Sequence, residues 1–297
     1  MVMSHEVSTT YLKRLLGLLD DPSETVGTGA MAGLLQHEAE LLPLLAELQE
    51  ADNPLLRKRV HQLQAILTVR ERRRRFLSLL QSRRVDLLEG MVEVHLLWFD
   101  NDSRPALFEL FQSFLDVASN NRIKTIEDLG SFMLRSGFNV PPAGELTDPE
   151  NYCIGTILED RIGADIMLCV IALLVGAEAG LELGLVRVMG NFAVINVAGV
   201  MICPTNDWAV DRASKLKNGD FWNDPAAILK YASLMLFLYA VGSDSFRYIH
   251  TIGHSLSGVD EQSGLDFLPY PYGGEKPSGE ASPPETAADA GHDDPRQ

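Results

Sequence analysis

Three cysteines are the residues of this sequence best suited to nucleophilic chemistry, and they stand at positions 153, 169 and 203. A thiol attacks as its thiolate, which forms when a helix N-terminus or a nearby histidine stabilises it. No histidine lies between His95 and His250, so the part of the sequence that holds all three cysteines carries no general base of its own. A cysteine-dependent amidase or acyl-transfer reaction would therefore need His95, His250 or His254 to reach a thiol through the fold.

The surroundings of the cysteines argue against a working thiol. Cys169 lies within the apolar run from Ile166 to Ala177, where burial would raise the pKa of the thiol and make it inert. Cys153 precedes a predicted helix, and we expect it to be structural as well. Three cysteines are too few and too odd in number for a disulfide scaffold, so a reducing, cytoplasmic location is the simpler interpretation.

Two histidines one helical turn apart, His250 and His254, could share one face of a helix near the C-terminus. Zinc sites in proteins use three or four ligands, and no third ligand lies nearby in the sequence. Gly253 and the lack of a glutamate between the two histidines also remove the pattern of zinc proteases. The sequence therefore predicts neither a metal nor a cofactor.

A basic segment at residues 57–84 contrasts with the formal net charge of −16 of the whole chain, since it has ten arginines and lysines against one acid, Glu71. Its centre is a run of four arginines, Arg72, Arg73, Arg74 and Arg75. One interpretation is a docking surface for an acidic partner, and the other is a solvated helix face that pairs with acids elsewhere in the chain. The overall acidity and the lack of interleaved aromatic residues make nucleic acid an unlikely ligand, so an unidentified protein is the expected partner.

The elements that must position these residues are mostly helices. In residues 1–84, two helix–turn–helix units have prolines 32 residues apart, which is typical of HEAT-like repeats, although two unrelated hairpins give the same pattern. Residues 85–210 combine helices, a proline-rich loop at 137–146, a strongly apolar helix and short strands near 186–188, 192–197 and 200–203. Residues 211–268 predict a helical pair, and residues 269–297 predict a disordered acidic tail.

Several motifs in the middle of the chain occur in a recognisable order. They are the acidic-Leu-Glu helix start at 86–90, Gly137–Phe138, the turn at 148–151, IleLeuGluAspArgIleGlyAlaAsp at 157–165, the turn at 179–181, MetGlyAsnPhe at 189–192, and CysPro at 203–204. From about Leu79 to Pro204, and more faintly through the C-terminal helices, the sequence resembles the SirB family of bacterial transglutaminase-like proteins. The resemblance implies a Cys-His-Asp site, with the cysteine at a helix N-terminus and the other two residues on the following strands.

All three of these site positions are substituted in this chain. The helix start has Asp165, and Met167 two residues later, instead of a cysteine. Asn191 stands at the histidine position, and an amide is no base near neutral pH. Cys203 stands at the acid position, where it cannot orient an imidazole as a carboxylate does. The resemblance therefore implies a degenerate site, with Asp165 placed to accept the free N–H groups of its helix.

These observations predict an α+β, mostly helical fold: a HEAT-like N-terminal region, a transglutaminase-like core with a small antiparallel sheet, and a C-terminal helical pair. The favoured function is that of a non-catalytic scaffold or regulatory protein acting through protein–protein contacts. The alternative is a cysteine-dependent amidase or acyl-transfer enzyme with a rearranged site. No membrane association is expected, because the apolar run at 166–177 is shorter than a bilayer span and the N-terminus lacks the features of a signal peptide.

Overall fold

The computed structural model describes residues 9–82, 84–142, 148–212 and 220–257. The predicted tail at 269–297 lies outside these ranges. The described part is mostly helical with one small antiparallel sheet, which confirms the predicted α+β class.

The N-terminal region consists of two helical pairs, α1 (Thr9–Leu16) with α2 (Glu24–Leu34) and α3 (Glu38–Leu48) with α4 (Pro54–Leu80). They enclose a leucine-rich core of their own. Helix α4 begins where the side chain of Asn53 accepts hydrogen bonds from two first-turn N–H groups, with proline at the first helical position. Helix α4 continues through the whole arginine run to Leu80. The assignment of helices α1 to α4 to HEAT-like repeats stays a prediction.

The middle of the chain forms five helices: α5 (Leu87–Trp98), α6 (Arg104–Ser119), α7 (Ile126–Arg135), α8 (Ile154–Asp160) and α9 (Asp165–Glu178). Helix α9 is the most apolar of these in sequence, and nine of its fourteen residues are buried. It packs on α6 and α7 and on the first two strands of the sheet. A helix that is apolar on all sides needs such surroundings.

The sheet is an antiparallel meander of four strands in the order β1 (Leu183–Val188), β2 (Asn191–Asn196), β3 (Val200–Ile202) and β4 (Val210–Arg212). A two-residue turn joins β1 to β2, and both Met189 and Gly190 have positive φ, as such tight hairpin turns require. The sequence predicted the first three strands. It missed β4, whose residues are exposed and do not alternate between apolar and polar.

Two C-terminal helices, α10 (Pro225–Gly242) and α11 (Phe246–Ser257), form the predicted pair, and they pack on each other and on α5. Within the described residues, α10 is the one helix that is long and apolar enough to cross a membrane, judged by length and composition only. A third of it (33%) is buried inside the protein.

Candidate functional site

The start of helix α9 is where the family resemblance places its nucleophile, and here it carries Asp165. The two carboxylate oxygens accept different backbone hydrogen bonds. Oδ1 accepts from the N–H of Ile166 at 2.8 Å, and Oδ2 accepts from the N–H of Phe192 at 2.8 Å. The first bond was expected from the sequence, because an aspartate at a helix start can accept the free N–H groups of its own helix. The second bond was not expected, and it joins α9 to strand β2.

The carboxyl group of Asp165 is half-buried, and burial raises its pKa above the usual value for aspartate. The two backbone hydrogen bonds and the charge of Arg187 act in the opposite direction. Arg187 stays close because its guanidinium lies 5.5 Å from the centre of the Phe192 ring and its Nε donates to the carbonyl of Gly190 at 3.3 Å. The negative charge of Asp165 and burial together raise the pKa of Tyr231.

Cys203, at the position of the family acid, contacts the same strand residue. Its Sγ lies 3.3 Å from the carbonyl oxygen of Phe192, to which the thiol donates, and 3.0 Å from Oγ1 of Thr205. The N–H of Phe192 therefore binds Asp165 while its carbonyl binds Cys203. Asn191, at the position of the family histidine, is the first residue of β2 and is exposed, whereas Met167 is fully buried. Two of the three substituted positions thus meet at the backbone of one strand residue.

Three aromatic rings pack around this junction. The centres of the Phe192, Trp222 and Tyr231 rings lie 5.1 to 5.7 Å apart, and all three pairs meet edge to face. Trp222 precedes α10 and Tyr231 lies on it, so the C-terminal helical pair contributes to the junction. Sequence reasoning missed both residues, because they lie beyond Pro204, where the resemblance is at most faint, and have no local pattern that points to α9.

The other two cysteines are fully buried, as expected for Cys169 from its apolar neighbours. Burial raises the pKa of both thiols well above the usual cysteine value, and nearby carboxylates act in the same direction, Asp165 on Cys169 and Glu150 on Cys153. In the ranges that the structure describes, no cysteine is hydrogen-bonded to a histidine.

His95 is buried, and both of its ring nitrogens have partners. Nε2 lies 2.8 Å from Oδ2 of Asp102, and Nδ1 accepts the N–H of Gly155 in the first turn of α8 at 3.3 Å. This pattern fixes the proton on Nε2, because Nδ1 acts as an acceptor. Burial lowers the pKa of His95, while the hydrogen bond to Asp102 opposes that shift. The imidazole of His95 lies so close to the backbone of α8 that a Cβ added at Gly155 would be 2.6 Å from the ring.

The second pair of histidines lies on α11, with ring centres 5.6 Å apart. His250 is buried, and its pKa is lowered to about 4 by burial, by the charge of Arg73 and by His254. Among the described residues, no group of three or more histidines, cysteines, aspartates or glutamates is placed to hold a metal ion.

The arginine run of α4 is distributed around the helix. Arg73 is buried, and Arg72 lines a small cavity together with Asp100 and Arg247. Arg74 pairs with Glu38 and with Glu71, and Arg75 lies 3.8 Å from both Glu71 and Glu93. Arg74 and Arg75 therefore have carboxylate partners within the chain, which lie on α3 (Glu38), α4 (Glu71) and α5 (Glu93). Its use as a docking surface stays a prediction.

A comparison with known protein families identifies a domain in the part of the chain that contains these residues. Residues 106–213 match the model of the family described as the transglutaminase-like superfamily. Neither a curated protein nor a solved structure gave a significant match to the chain. The matched region begins in α6 and includes α7, α8, α9 and the whole sheet, so it contains Asp165, Asn191 and Cys203. Residues 106–213 therefore carry a transglutaminase-like superfamily domain.

Proposed function

We propose that this protein is a non-catalytic, SirB-type member of the transglutaminase-like superfamily that acts in the cytoplasm as a scaffold or regulatory protein through contacts with another protein. The observation that carries the proposal is the pair of hydrogen bonds from Ile166 and Phe192 to the carboxylate of Asp165. The side chain at the helix start is committed to backbone groups of its own fold.

A thiol mechanism needs a nucleophile, a base and a group that orients the base. At the positions of the resemblance, the carboxylate of Asp165 accepts two N–H groups, and the thiol of Cys203 donates to a carbonyl. Asn191 is exposed and has no basic nitrogen. Asp165 ties α9 to strand β2, and Cys203 bonds to the same strand residue, which supports a structural use of the frame in place of the chemical one.

The N-terminal helices supply the larger part of the surface that a partner would use under this proposal. Helix α4 is 27 residues long and presents exposed cations along its outer side, among them Arg57 and Lys58 near its start. These two side chains line a shallow cleft that also includes His61 and Gln62. An acidic protein surface fits this side better than nucleic acid, because the chain as a whole is strongly acidic.

The alternative function, a cysteine-dependent amidase or acyl transferase, is favoured by one arrangement. Cys153 stands at the N-cap of α8, and the imidazole of His95, itself bonded to Asp102, reaches the same helix start at Gly155. A thiol, an imidazole and a carboxylate therefore lie near one helix N-terminus. Against this function, the thiol is fully buried, and both burial and the charges of Glu150 and Asp102 raise its pKa.

A labelling experiment separates the two functions. The full-length protein is incubated with a glutamine-like peptide that carries a thiol-directed chloromethyl ketone, and adducts are located by mass spectrometry. We expect only slow, non-saturable alkylation of Cys203, the one half-exposed thiol of the three. Rapid, saturable labelling of Cys153 that is lost in both Cys153→Ser and His95→Phe would overturn the proposal and establish the alternative.

A gain-of-function variant provides the matched control. Asp165→Cys, Asn191→His and Cys203→Asp together restore the residue types that the resemblance implies at these positions. If the frame is intact, this triple variant should label at position 165 at least about a hundredfold faster than any cysteine of the native chain, because a positioned base typically contributes about 10²–10⁴-fold. Equally fast, saturable labelling in the native chain and the triple variant would show that the native chain already has a competent thiol, whereas equally slow labelling would show that the frame no longer supports the site.

A further inference from the structure

One side of helix α10 presents a row of exposed apolar residues. Leu234, Leu238 and Val241 follow one another at helical spacing and are 44%, 53% and 46% exposed. The row begins one turn earlier at Lys230, which is also exposed and is the one charged residue of α10. Contiguous apolar surface of this kind usually marks a contact with another segment or molecule. We name these four residues the α10 row.

We propose that the α10 row is covered by residues 259–272 of this same chain, ValAspGluGlnSerGlyLeuAspPheLeuProTyrProTyr, which lie outside the described residues. The composition beyond α11 singles out this segment. It holds six large apolar residues, and the 25 residues that follow it contain none. An apolar block in an otherwise polar and acidic stretch needs a surface to bury it.

The connection is short enough to bring the segment to the row. A three-residue turn at 243–245 joins α10 to α11, and two helices joined so closely run antiparallel. The end of α11 at Ser257 is therefore level with the beginning of the α10 row. The seven residues 258–264 can span about 23 Å when extended, which is about twice the diameter of a helix.

Charge gives the segment a direction along the row. Asp260 and Glu261 leave α11 first, close to the Lys230 end, and the apolar block that starts at Leu265 follows toward Leu234 and Leu238. The two prolines of the block favour an extended chain, which suits the side of a single helix better than a third helix would. Tethering to α11 also gives the segment a local concentration in the millimolar range.

A site-specific photo-crosslink tests the proposal in the full-length protein. The photoreactive residue p-benzoyl-phenylalanine is placed at position 238, and the crosslinked peptides are mapped by mass spectrometry. We expect crosslinks within one chain to residues 259–272, with a yield that stays constant on dilution by about two orders of magnitude, as an intramolecular contact requires. The pair Phe267→Asp and Leu268→Asp should lower this yield at least about fivefold.

The control places the same photoreactive residue at position 117 on α6, where Val117 is 54% exposed and lies on a different helix. That position should give no crosslink to residues 259–272. Crosslinks between chains from position 238, or a yield that falls in proportion to concentration, would replace the proposal by a dimer interface. Crosslinking from position 238 that ignores the Phe267→Asp and Leu268→Asp pair would also overturn it. Circular dichroism verifies that the variants keep the helical content of the native chain.

Discussion

Helices α8 and α9 begin eleven residues apart, and neither has a serine, threonine, aspartate or asparagine at its N-cap. Their first-turn N–H groups find acceptors in different ways. Helix α9 uses Asp165 from its own first turn, and the same carboxylate also binds strand β2. Helix α8 uses the imidazole of His95, which comes from α5, sixty residues earlier in the chain.

The two helix starts need their accepting side chains in different charge states. The carboxylate of Asp165 accepts best when ionised, yet burial raises its pKa. His95 can accept at Nδ1 only when neutral, and burial lowers its pKa in the direction that favours this state. Burial therefore opposes the hydrogen bonds at α9 and supports the hydrogen bond at α8.

The comparison also bears on function, because each helix start has residues of the types found in thiol enzymes. At α9 they stand at the positions of the family resemblance, and at α8 they do not. In both places the hydrogen bonds lead to backbone groups. Residue types at a helix start are therefore weak indicators of chemistry until the partners of each side chain are known.

The largest effect is expected from Asp165→Ala, which removes the acceptor of two N–H groups at the α9 junction. We expect a loss of about 3 kcal/mol in the free energy of unfolding, because leaving partly buried N–H groups without acceptors costs about 1 to 3 kcal/mol each. Urea denaturation followed by circular dichroism measures it. Asp160→Ala is the control, since Asp160 is exposed at the end of α8, and it should change stability by less than about 0.5 kcal/mol. Equal losses in the two variants would show that the Asp165 tie is unimportant.

A smaller loss, about 2 kcal/mol, is expected from His95→Phe, which keeps a ring of similar shape and removes the acceptor for Gly155. The hydrogen-exchange rate of the Gly155 amide should rise together with this loss, and the exchange rate of the Ile166 amide should not change. His61→Phe, at an exposed position of α4, serves as the control and should leave both amides unchanged. If the exchange of Gly155 is the same in native protein and His95→Phe, imidazole capping of α8 is refuted.

Sequence reasoning predicted both helices, but it identified the acceptor at the start of α9 and missed the acceptor at the start of α8 for a physical reason. Asp165 was identified because the family resemblance places a functional helix start at this position. The bond to Phe192 depends on how the sheet packs on α9, and spacing does not encode it. His95 is buried. Its bond to Gly155 joins elements sixty residues apart, and no local pattern predicts such a pairing.

The arginine run shows the same limit on the N-terminal side. Its charge was evident from the sequence, but the partners depend on the direction in which each side chain leaves α4. Consecutive residues of a helix point about 100° apart, so a run of four covers the whole circumference. Arg73 is consequently buried, and Arg74 reaches Glu38 on α3. The class of fold was predictable because the spacing of apolar residues indicates helices and strands even when the partners of individual side chains are unknown.

The two helix starts should also differ in the sign of their pH dependence. The pKa of His95 is lowered on folding, so its contribution to stability is complete above its unfolded value of about 6.5 and is lost as pH falls toward the folded value. The pKa of Asp165 is raised, so the part of its contribution that is linked to protonation is complete below about 3.8 and is lost as pH rises through the folded value, while its two hydrogen bonds from backbone N–H groups remain.

Urea titrations between about pH 4 and pH 8 measure these contributions, and each group can give a slope of at most about 1.4 kcal/mol per pH unit. The stability difference between native protein and His95→Phe should shrink as pH falls below about 6.5. His250, with a pKa of about 4, gives a slope of the same sign in both proteins and cancels in this difference. A difference that is constant over the whole range would mean that His95 does not titrate on unfolding.

The smallest effect is expected from Asp102→Asn, which tests whether the α8 start needs the carboxylate behind the imidazole. Asp102 is half-exposed, so its pairing with His95 contributes less than about 1 kcal/mol to stability. The amide oxygen of asparagine still accepts from Nε2–H, and Gly155 should keep its acceptor. The pKa of His95 should nevertheless fall further, because burial already lowers it and the hydrogen bond to Asp102 is the largest influence that raises it. Titration of the His95 ring signals by NMR measures this shift, and an unchanged pKa would mean that Asp102 positions the ring without acting on its charge.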